Sequence, residues 1–150
     1  MNNKPKTALF AGSFNPYTRG HHDIVQRALA IFDKVVVAVG CNMSKENGAA
    51  CAEERRAAIE KVYADDPRVC AVVYNGLTMD YARSIGATAL LRGVRSVKDF
   101  EYERDLADVN MRFGGIETVI LMSSPENAAI SSSLVRELAA YGKDVKHLLP

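Results

Sequence analysis

Apolar residues along this chain fall into two alternating patterns. Continuous apolar runs, rich in β-branched residues, are typical of strands covered on both faces of a parallel sheet. They predict five strands, at Thr7–Gly12, Lys34–Gly40, Val69–Tyr74, Ala89–Leu91 and Glu117–Met122.

The segments between these runs show helical spacing. In the first of them Ala28 lies four positions after Ile24 and three after Val25, as on one face of an amphipathic helix. Spacing of this kind predicts helices at His21–Phe32, Glu53–Tyr63, Met79–Ile85, Asp99–Phe113 and Ser132–Tyr141. Gly86 should end the third helix, because glycine readily takes the left-handed conformation of a helix C-cap.

The fourth predicted helix is the longest. Its apolar positions in register are Tyr102, Leu106, Val109 and Phe113, and the Gly114-Gly115 pair should end it. Its exposed side could carry the ion pairs Arg104–Asp108 and Asp108–Arg112, which are spaced four residues apart.

Strands that alternate with helices predict one α/β domain over residues 1–150, with a doubly wound five-stranded parallel sheet. The sequence has no linker, repeat or low-complexity stretch. In such sheets ligands bind beyond the carboxyl ends of the strands. Polar segments follow four of the predicted strands there: Gly12–His21, Cys41–Lys45, Arg92–Arg95 and Ser123–Ser133.

Composition excludes several classes of protein. With 48% hydrophobic residues and a net charge of +1, the chain is neither disordered nor a globally basic nucleic-acid binder. No apolar run approaches the roughly 18 residues of a membrane helix, so no membrane partner is expected. Three cysteines without C-x-x-C spacing argue against a disulfide framework or a cysteine zinc site. We therefore expect a reduced, cytoplasmic protein.

The loop after the first strand is a candidate phosphate site. It runs from Gly12 to His21 and ends where a helix begins, and a helix N-terminus favours anions. It contains neither G-x-G-x-x-G nor the P-loop pattern. From these residues alone, a polar turn capped by Thr18 is an equal alternative.

Two later segments are also candidate phosphate sites. Three serines, Ser131-Ser132-Ser133, open the last helix and could bind phosphate oxygens, although a plain serine N-cap is the alternative. Arg92 and Arg95 flank a glycine at a strand end, where planar guanidinium groups suit phosphate, although surface charge is the usual role of arginine.

Taken together, these segments resemble a known superfamily. Gly-Ser-Phe-Asn-Pro followed by Thr-Arg-Gly-His, and Ile-Ser-Ser-Ser-Leu-Val-Arg near the C-terminus, resemble the signatures of nucleotidyltransferases with a Rossmann-like fold. The run from Leu91 to Glu103 is similar to R-G-[LIV]-R-x-x-x-D-F-[ED]-Y-E of the phosphopantetheine adenylyltransferase family. Ser44-Lys45 with Glu53-Glu54-Arg55, and Gly76-Leu77-Thr78, resemble the same family, and the resemblance extends from Thr7 to Pro150.

The resemblance implies a reaction. ATP and 4′-phosphopantetheine would give dephospho-coenzyme A and pyrophosphate, by direct in-line transfer, with Mg²⁺ accompanying ATP and a homohexamer as the assembly. His21 would stabilise the transition state, and the catalytic set would be Thr18, His21, Lys45 and Arg92, with no metal ligand from the protein.

The resemblance also implies binding residues. Phosphopantetheine would be bound by Ser13, Lys45, Thr78 and Arg92. The ATP set would be Ser13, Phe14, His21, Gly93, Val94, Arg95, Glu103, Asn127, Ala128, Ala129, Ile130, Ser131, Ser132 and Ser133. From the residues alone, Glu103 could instead be an exposed helix carboxylate, and His22 is expected to be solvated or packed rather than to share a metal with His21.

The sequence departs from the family pattern in two places. Residues 46–52 lack the usual aromatic residue and cap, and Asn127-Ala128-Ala129 lacks the usual aromatics. The alternatives are transfer to another phosphate such as nicotinate mononucleotide, a non-catalytic nucleotide sensor, and a structural flavodoxin-like module.

Overall fold

A five-stranded sheet, parallel throughout, forms the centre of the computed structural model, which describes residues 3–150. The strands are β1 (Thr7–Gly12), β2 (Lys34–Gly40), β3 (Val69–Tyr74), β4 (Ala89–Val94) and β5 (Glu117–Met122). The helices are α1 (Arg19–Ala28), α2 (Gly48–Val62), α3 (Thr78–Ser84), α4 (Val97–Gly114) and α5 (Ser132–Ala140), with short 3₁₀ turns at Pro125–Asn127 and Lys146–Leu148.

The strand order is β3-β2-β1-β4-β5. The chain winds outward from β1 to β3 and then returns to the other side of β1 with β4 and β5. This is the doubly wound arrangement that the sequence predicts. Its topological switch point lies between β1 and β4, where ligand crevices of such folds form.

Apolar side chains cover both faces of the sheet. Ile24, Val25 and Ile59 of α1 and α2 pack on one face, and Met79 and Ala82 of α3 pack on the other. The two core clusters explain the continuous apolar runs, since neither face of the central strands is left to solvent.

Four strands have the predicted bounds, but the prediction for β4 is wrong. Arg92, Gly93 and Val94 do not follow the strand; they extend it and pair with residues of β5. An Arg-Gly pair has the composition of a loop, and only the neighbouring strand supplies the hydrogen bonds that keep it extended.

The helices differ from prediction mainly at α1 and α2. Helix α1 begins two residues earlier and ends four residues earlier than predicted, although Phe32 beyond it is still buried. Helix α2 begins five residues earlier, at Gly48, so much of the atypical 46–52 segment is helical. Its N-cap Asn47 has a φ of 59° and makes no side-chain cap hydrogen bond. The bounds of α3, α4 and α5 agree within two residues.

Helix α4 turns only part of its apolar row toward the sheet. Tyr102 and Phe113 are 63% and 71% exposed, and the buried positions of the helix are Glu103 and Gly114. Of the two predicted ion pairs, Asp108–Arg112 is present at 3.8 Å, whereas Arg104 contacts Asp105 at 3.6 Å instead of Asp108.

Two further features bear on the sequence expectations. Across residues 3–150, no helix combines the length and the apolar character that crossing a bilayer requires. Cys41, Cys51 and Cys70 carry free thiols.

Candidate active site

A cavity of about 260 Å³ opens at the carboxyl ends of β1 and β4. We call it the first cavity. It is bounded by the loop after β1, the start of α1, the turn after β5 and the start of α5. Its lining residues are Phe10, Ala11, Gly12, Ser13, Phe14, Thr18, Gly20, His21, Ile24, Arg92, Gly93, Arg95, Ser123, Asn127, Ile130, Ser131 and Ser132.

Two helices begin at this cavity. Thr18 is the N-cap of α1 and Ser131 the N-cap of α5, and each side chain accepts a hydrogen bond from the backbone N–H three residues later. The other first-turn N–H groups have no acceptor within their helices, and the two helix dipoles favour an anion between them. Both residues therefore cap a helix and line the cavity, so the alternatives raised by the sequence are compatible.

The imidazole of His21 is held in one tautomer. Its Nδ1 accepts a hydrogen bond from the backbone N–H of Thr18 at 2.9 Å, so the proton of the neutral ring is on Nε2. Burial, together with the nearby charges of Arg92 and Arg95, lowers the pKa of His21 to about 4. His21 is thus a neutral N–H donor at pH 7.

Aromatic side chains enclose this imidazole. Phe14 meets it edge-on, with ring centroids 5.0 Å apart and an interplanar angle of 90°. Phe14 has a φ of 46° although it is not glycine, which the surrounding packing must stabilise. Tyr17 stacks on the imidazole at 5.3 Å with an interplanar angle of 22°.

Arg92 and Glu103 form a bidentate ion pair. Nε and Nη2 of Arg92 each donate to one carboxylate oxygen at 2.8 Å, and Nη1 donates to the carbonyl of Ala11 at 2.6 Å. Burial by itself would lower the pKa of Arg92, but the hydrogen bonds and charge of Glu103 raise it. Within residues 3–150, these bonds leave two of the five guanidinium N–H groups for a ligand.

The alternative of Glu103 as an exposed helix carboxylate is wrong. Glu103 is only 6% exposed, because α4 turns this position toward Arg92 on the sheet. Glu103 does not line the first cavity; it lines a second one.

The second cavity, of about 330 Å³, lies on the face of the sheet that α3 and α4 cover. Its lining is mostly apolar, and Arg92 belongs to both cavities. The buried hydroxyl of Thr118 has no hydrogen-bond partner within residues 3–150. The lining residues are Leu9, Ala11, Gly12, Tyr74, Leu77, Thr78, Met79, Leu90, Arg92, Glu103, Leu106, Ala107, Val109, Asn110 and Thr118.

The structure brings most of the residues singled out from the sequence to these two cavities. Those at the first are Ser13, Phe14, Thr18, His21, Arg92, Gly93, Arg95, Asn127, Ile130, Ser131 and Ser132. Those at the second are Thr78, Arg92 and Glu103. Those that line neither are Lys45, Val94, Ala128, Ala129 and Ser133.

The residues outside the cavities have identifiable positions. Val94 is fully buried in the core, and Lys45 lies in the exposed loop between β2 and α2. The hydroxyl of Ser133 is exposed and accepts a hydrogen bond from Arg136 at 3.3 Å.

Several lining residues were not predicted. Ile24 has the pattern of a core residue and gives no other signal. Asn110 lies seven residues after Glu103 and therefore on the same face of α4, which is a signal that sequence spacing contains. Thr118 and Tyr74 lie within strands, and no motif marks them.

The described residues offer little to a metal ion. Among residues 3–150 no group of three or more His, Cys, Asp or Glu side chains could hold one. His22, adjacent to His21, is packed: its Nδ1 is 2.9 Å from the hydroxyl of Tyr63.

Comparison with known sequences identifies a family. The cytidylyltransferase-like family model matches residues 9–138. A phosphopantetheine adenylyltransferase of Porphyromonas gingivalis is 52% identical over 147 residues, which cover 98% of this chain and 95% of the relative. The enzyme of that name from Phocaeicola vulgatus is 47% identical, over 97% of this chain and 95% of its own. That of Leuconostoc citreum is 48% identical, over 91% and 86%.

Comparison with solved structures supports the fold. A crystal structure of a bifunctional NMN adenylyltransferase/ADP ribose pyrophosphatase from Francisella tularensis superposes with a TM-score of 0.67. The match covers 97% of this chain and 44% of the other, with 13% sequence identity. At that identity the likeness concerns the fold alone.

Proposed function

The chain belongs to the phosphopantetheine adenylyltransferases, a family of nucleotidyltransferases, and on that premise we propose the reaction it catalyses. The adenylyl group of ATP is transferred to the phosphate of 4′-phosphopantetheine, giving dephospho-coenzyme A and pyrophosphate in coenzyme A synthesis. The observation that carries this proposal is the position of Arg92, which lines both cavities. A guanidinium between two cavities can contact the phosphates of two substrates at once.

In this proposal ATP occupies the first cavity. Its phosphates lie between the starts of α1 and α5, where free N–H groups and helix dipoles favour anions. Arg95 adds a positive charge at the rim, and its side chain is 40% exposed. Asn127 and Ser132 also line the cavity and offer polar groups to the nucleotide.

Phosphopantetheine occupies the second cavity. The apolar lining suits the methyl and methylene groups of the pantetheine arm, and the arm's two amides need polar partners. The free hydroxyl of Thr118 and the side chain of Asn110 are available for them. The acceptor phosphate lies at Arg92, near Ser13 and Thr78, and Lys45 reaches it from its exposed loop.

The transfer needs no covalent intermediate with the protein. An oxygen of the acceptor phosphate forms a bond to the α-phosphorus of ATP, and the bond to the bridging oxygen breaks, so that pyrophosphate leaves with its electron pair. Negative charge builds on the oxygens around the α-phosphorus. Nε2–H of His21 donates to these oxygens, and a donor already oriented needs no rearrangement during the reaction. Thr18 orients His21, and Arg92 and Lys45 orient the attacking phosphate.

We propose that Mg²⁺ enters as the MgATP complex. The described residues contain no acidic cage, and Mg²⁺ commonly binds substrate phosphates and water with few protein ligands. Its charge would neutralise part of the charge on the phosphates, while the steps above depend on the side chains of this chain.

The cytoplasm is the proposed location of this chemistry. The proposed substrate ATP is a cytoplasmic nucleotide. A reducing compartment also suits the three free thiols, Cys41, Cys51 and Cys70.

An acceptor comparison tests the proposed reaction. Purified protein with MgATP should release pyrophosphate on addition of 4′-phosphopantetheine, in equal amount to the dephospho-coenzyme A formed. Nicotinate mononucleotide, in a matched reaction, should give no release above background. Faster turnover of nicotinate mononucleotide, or nucleotide binding without turnover of either acceptor, would exclude the proposal in favour of another transferase or a nucleotide sensor.

We also propose that the chain assembles as a homohexamer. The support is the exposed part of the apolar row on α4, where Tyr102 and Phe113 are 63% and 71% exposed. A row of this kind is typical of a subunit interface, and closed symmetric assemblies are the common outcome.

Sedimentation velocity at micromolar concentration should give the mass of six chains. Phe113→Lys should dissociate the assembly, while Arg104→Lys, on the same helix, should leave it intact. A wild-type monomer would contradict the proposal.

A further inference from the structure

Three side chains beside His21 form a hydrogen-bonded chain that the reaction above does not use. The hydroxyls of Tyr17 and Tyr63 are 2.5 Å apart, and the Tyr63 hydroxyl is 2.9 Å from Nδ1 of His22. Tyr17 directly precedes the N-cap of α1, and Tyr63 is the C-cap of α2. The hydrogen bonds among these three side chains therefore connect the start of α1 to the end of α2.

Only one arrangement of protons satisfies all three groups. Within residues 3–150 the Tyr17 hydroxyl has no partner other than Tyr63, so Tyr17 must donate to Tyr63, which then donates to Nδ1 of neutral His22. Burial raises the pKa of Tyr17 well above 10 and that of Tyr63 to about 12, and it lowers the pKa of His22. At pH 7 all three groups are neutral and the direction of the bonds is set.

These two hydrogen bonds restrain the ring of Tyr17. Tyr17 and His22 hold the positions that form a hydrophobic staple at a helix start, and here the Tyr63 hydroxyl bridges them. Tyr17 is 7% exposed, and its ring stacks on the imidazole of His21. Phe14, by contrast, meets the same imidazole edge-on. An imidazole in contact with two restrained rings has little freedom to tilt.

We propose that Tyr17 is a positioning residue for His21, and that Tyr63 and His22 hold it in place. Tyr17 lines neither cavity, so it acts through the imidazole and does not touch substrate. Its ring keeps Nε2–H aimed at the oxygens of the α-phosphate, while the Thr18 N–H holds Nδ1. The inference rests on the proposed function, in which His21 stabilises the transition state.

A double-mutant cycle tests it. Tyr17→Leu should lower kcat by roughly 10-fold or more, since small misplacement of a catalytic group has large effects on rate. KM for both substrates should stay within about twofold, because ground-state contacts are unchanged. In the His21→Ala background, Tyr17→Leu should cause almost no further loss of kcat.

The cycle separates failure of the inference from failure of the proposed function. Equal losses of kcat from Tyr17→Leu in both backgrounds would overturn the positioning role. A His21→Ala enzyme with wild-type kcat would overturn the mechanism on which it rests. Phe32→Leu is the matched control: Phe32 is a buried aromatic residue just beyond α1, and its loss should lower stability without changing kcat.

Milder variants and a spectroscopic signal cover the case in which Tyr17→Leu does not fold. Tyr17→Phe and Tyr63→Phe keep the rings and remove one hydroxyl each, and each should lower kcat by roughly 2–5-fold with KM unchanged. Nitrogen NMR of His21 should show the Nε2–H tautomer in every protein, because Thr18 still donates to Nδ1, while the His21 ring shifts should move in these variants because the ring is free to tilt. Wild-type kcat together with wild-type His21 shifts in both variants would overturn the proposal.

Discussion

The two cavities that meet at Arg92 are built in different ways. The first takes most of its polar groups from residues close in sequence to a helix start, such as Thr18, His21 and Ser131. The second is formed by residues from six separate elements, β1, β3, α3, β4, α4 and β5, and polar groups such as Glu103 and Thr118 lie within a helix and a strand. The first is therefore largely preset by local hydrogen bonds, whereas the second depends on how α4 packs on the sheet.

This difference indicates a division of work. A preset arrangement of donors suits the reacting phosphates, because their charge changes during the reaction and the donors must be in place beforehand. A packed apolar cavity suits recognition of the acceptor. Arg92 is the connection, since its guanidinium contacts both β1 and α4.

The largest expected effect separates chemistry from binding in the first cavity. His21→Ala should lower kcat by roughly 10²–10³, the usual cost of losing one transition-state donor. Affinity for ATP should change little, because the helix starts and Arg95 remain. Steady-state kinetics and calorimetry measure the two quantities, and Gln26→Ala, exposed on the same helix, is the control. A kcat near that of the wild type would remove His21 from the mechanism.

The next effect concerns the connection between the cavities. Arg92→Ala should weaken phosphopantetheine binding by roughly 10–150-fold, the loss expected for a charged hydrogen-bond partner, and ATP binding by less. Lys45→Ala should act in the same direction but more weakly, since Lys45 is exposed. Calorimetric titration with each substrate measures this, and equal losses for both substrates would indicate a diffuse basic patch.

Arg92→Ala also leaves the carboxylate of Glu103 buried without a partner. The free energy of unfolding should fall by about 1–3 kcal/mol. Adding Glu103→Ala should recover part of that loss, since an unpaired buried charge is then removed. Urea denaturation of the two single variants and the double variant gives the comparison, and strictly additive losses would mean that the pair is not coupled.

Arg95 provides a smaller contrast. Arg95→Ala should weaken ATP binding by roughly 3–10-fold and phosphopantetheine binding by less, because a partly exposed charge contributes modestly. Arg104→Ala removes a charge of the same kind from an exposed site on α4 and should change neither affinity. An Arg95 variant that loses more phosphopantetheine than ATP affinity would reverse the assignment.

The smallest expected effect is the pH dependence of the folding stability that arises from His21. Native His21 should stay neutral down to about pH 4, whereas an unfolded chain binds a proton on this residue near its ordinary pKa of 6.5. The native state therefore loses stability as the pH falls from 6.5 toward 4, and His21→Gln should reduce this loss. NMR titration of the ligand-free protein measures the pKa directly. A midpoint near 6.5 would mean that burial does not act on this imidazole.

Local sequence was a good guide to the first cavity and a poor one to the second. Thr18 and Ser131 were identifiable because a cap depends on residues three positions apart. Glu103 was assigned to ATP by resemblance, but in the structure it lies on the second cavity and pairs with Arg92. Nothing local distinguishes it from the exposed carboxylates of the same helix.

The sequence by itself determined the alternation of strands and helices, the doubly wound class, the bounds of four strands and the capping residues of the two helices that border the first cavity. Each follows from periodicity or capping within a few residues. The tertiary structure alone decided that β4 continues through Arg92, that α4 turns Glu103 inward and leaves Phe113 exposed, and that Tyr17 meets Tyr63. These contacts join residues 11 to 46 positions apart, and no local preference encodes such distances.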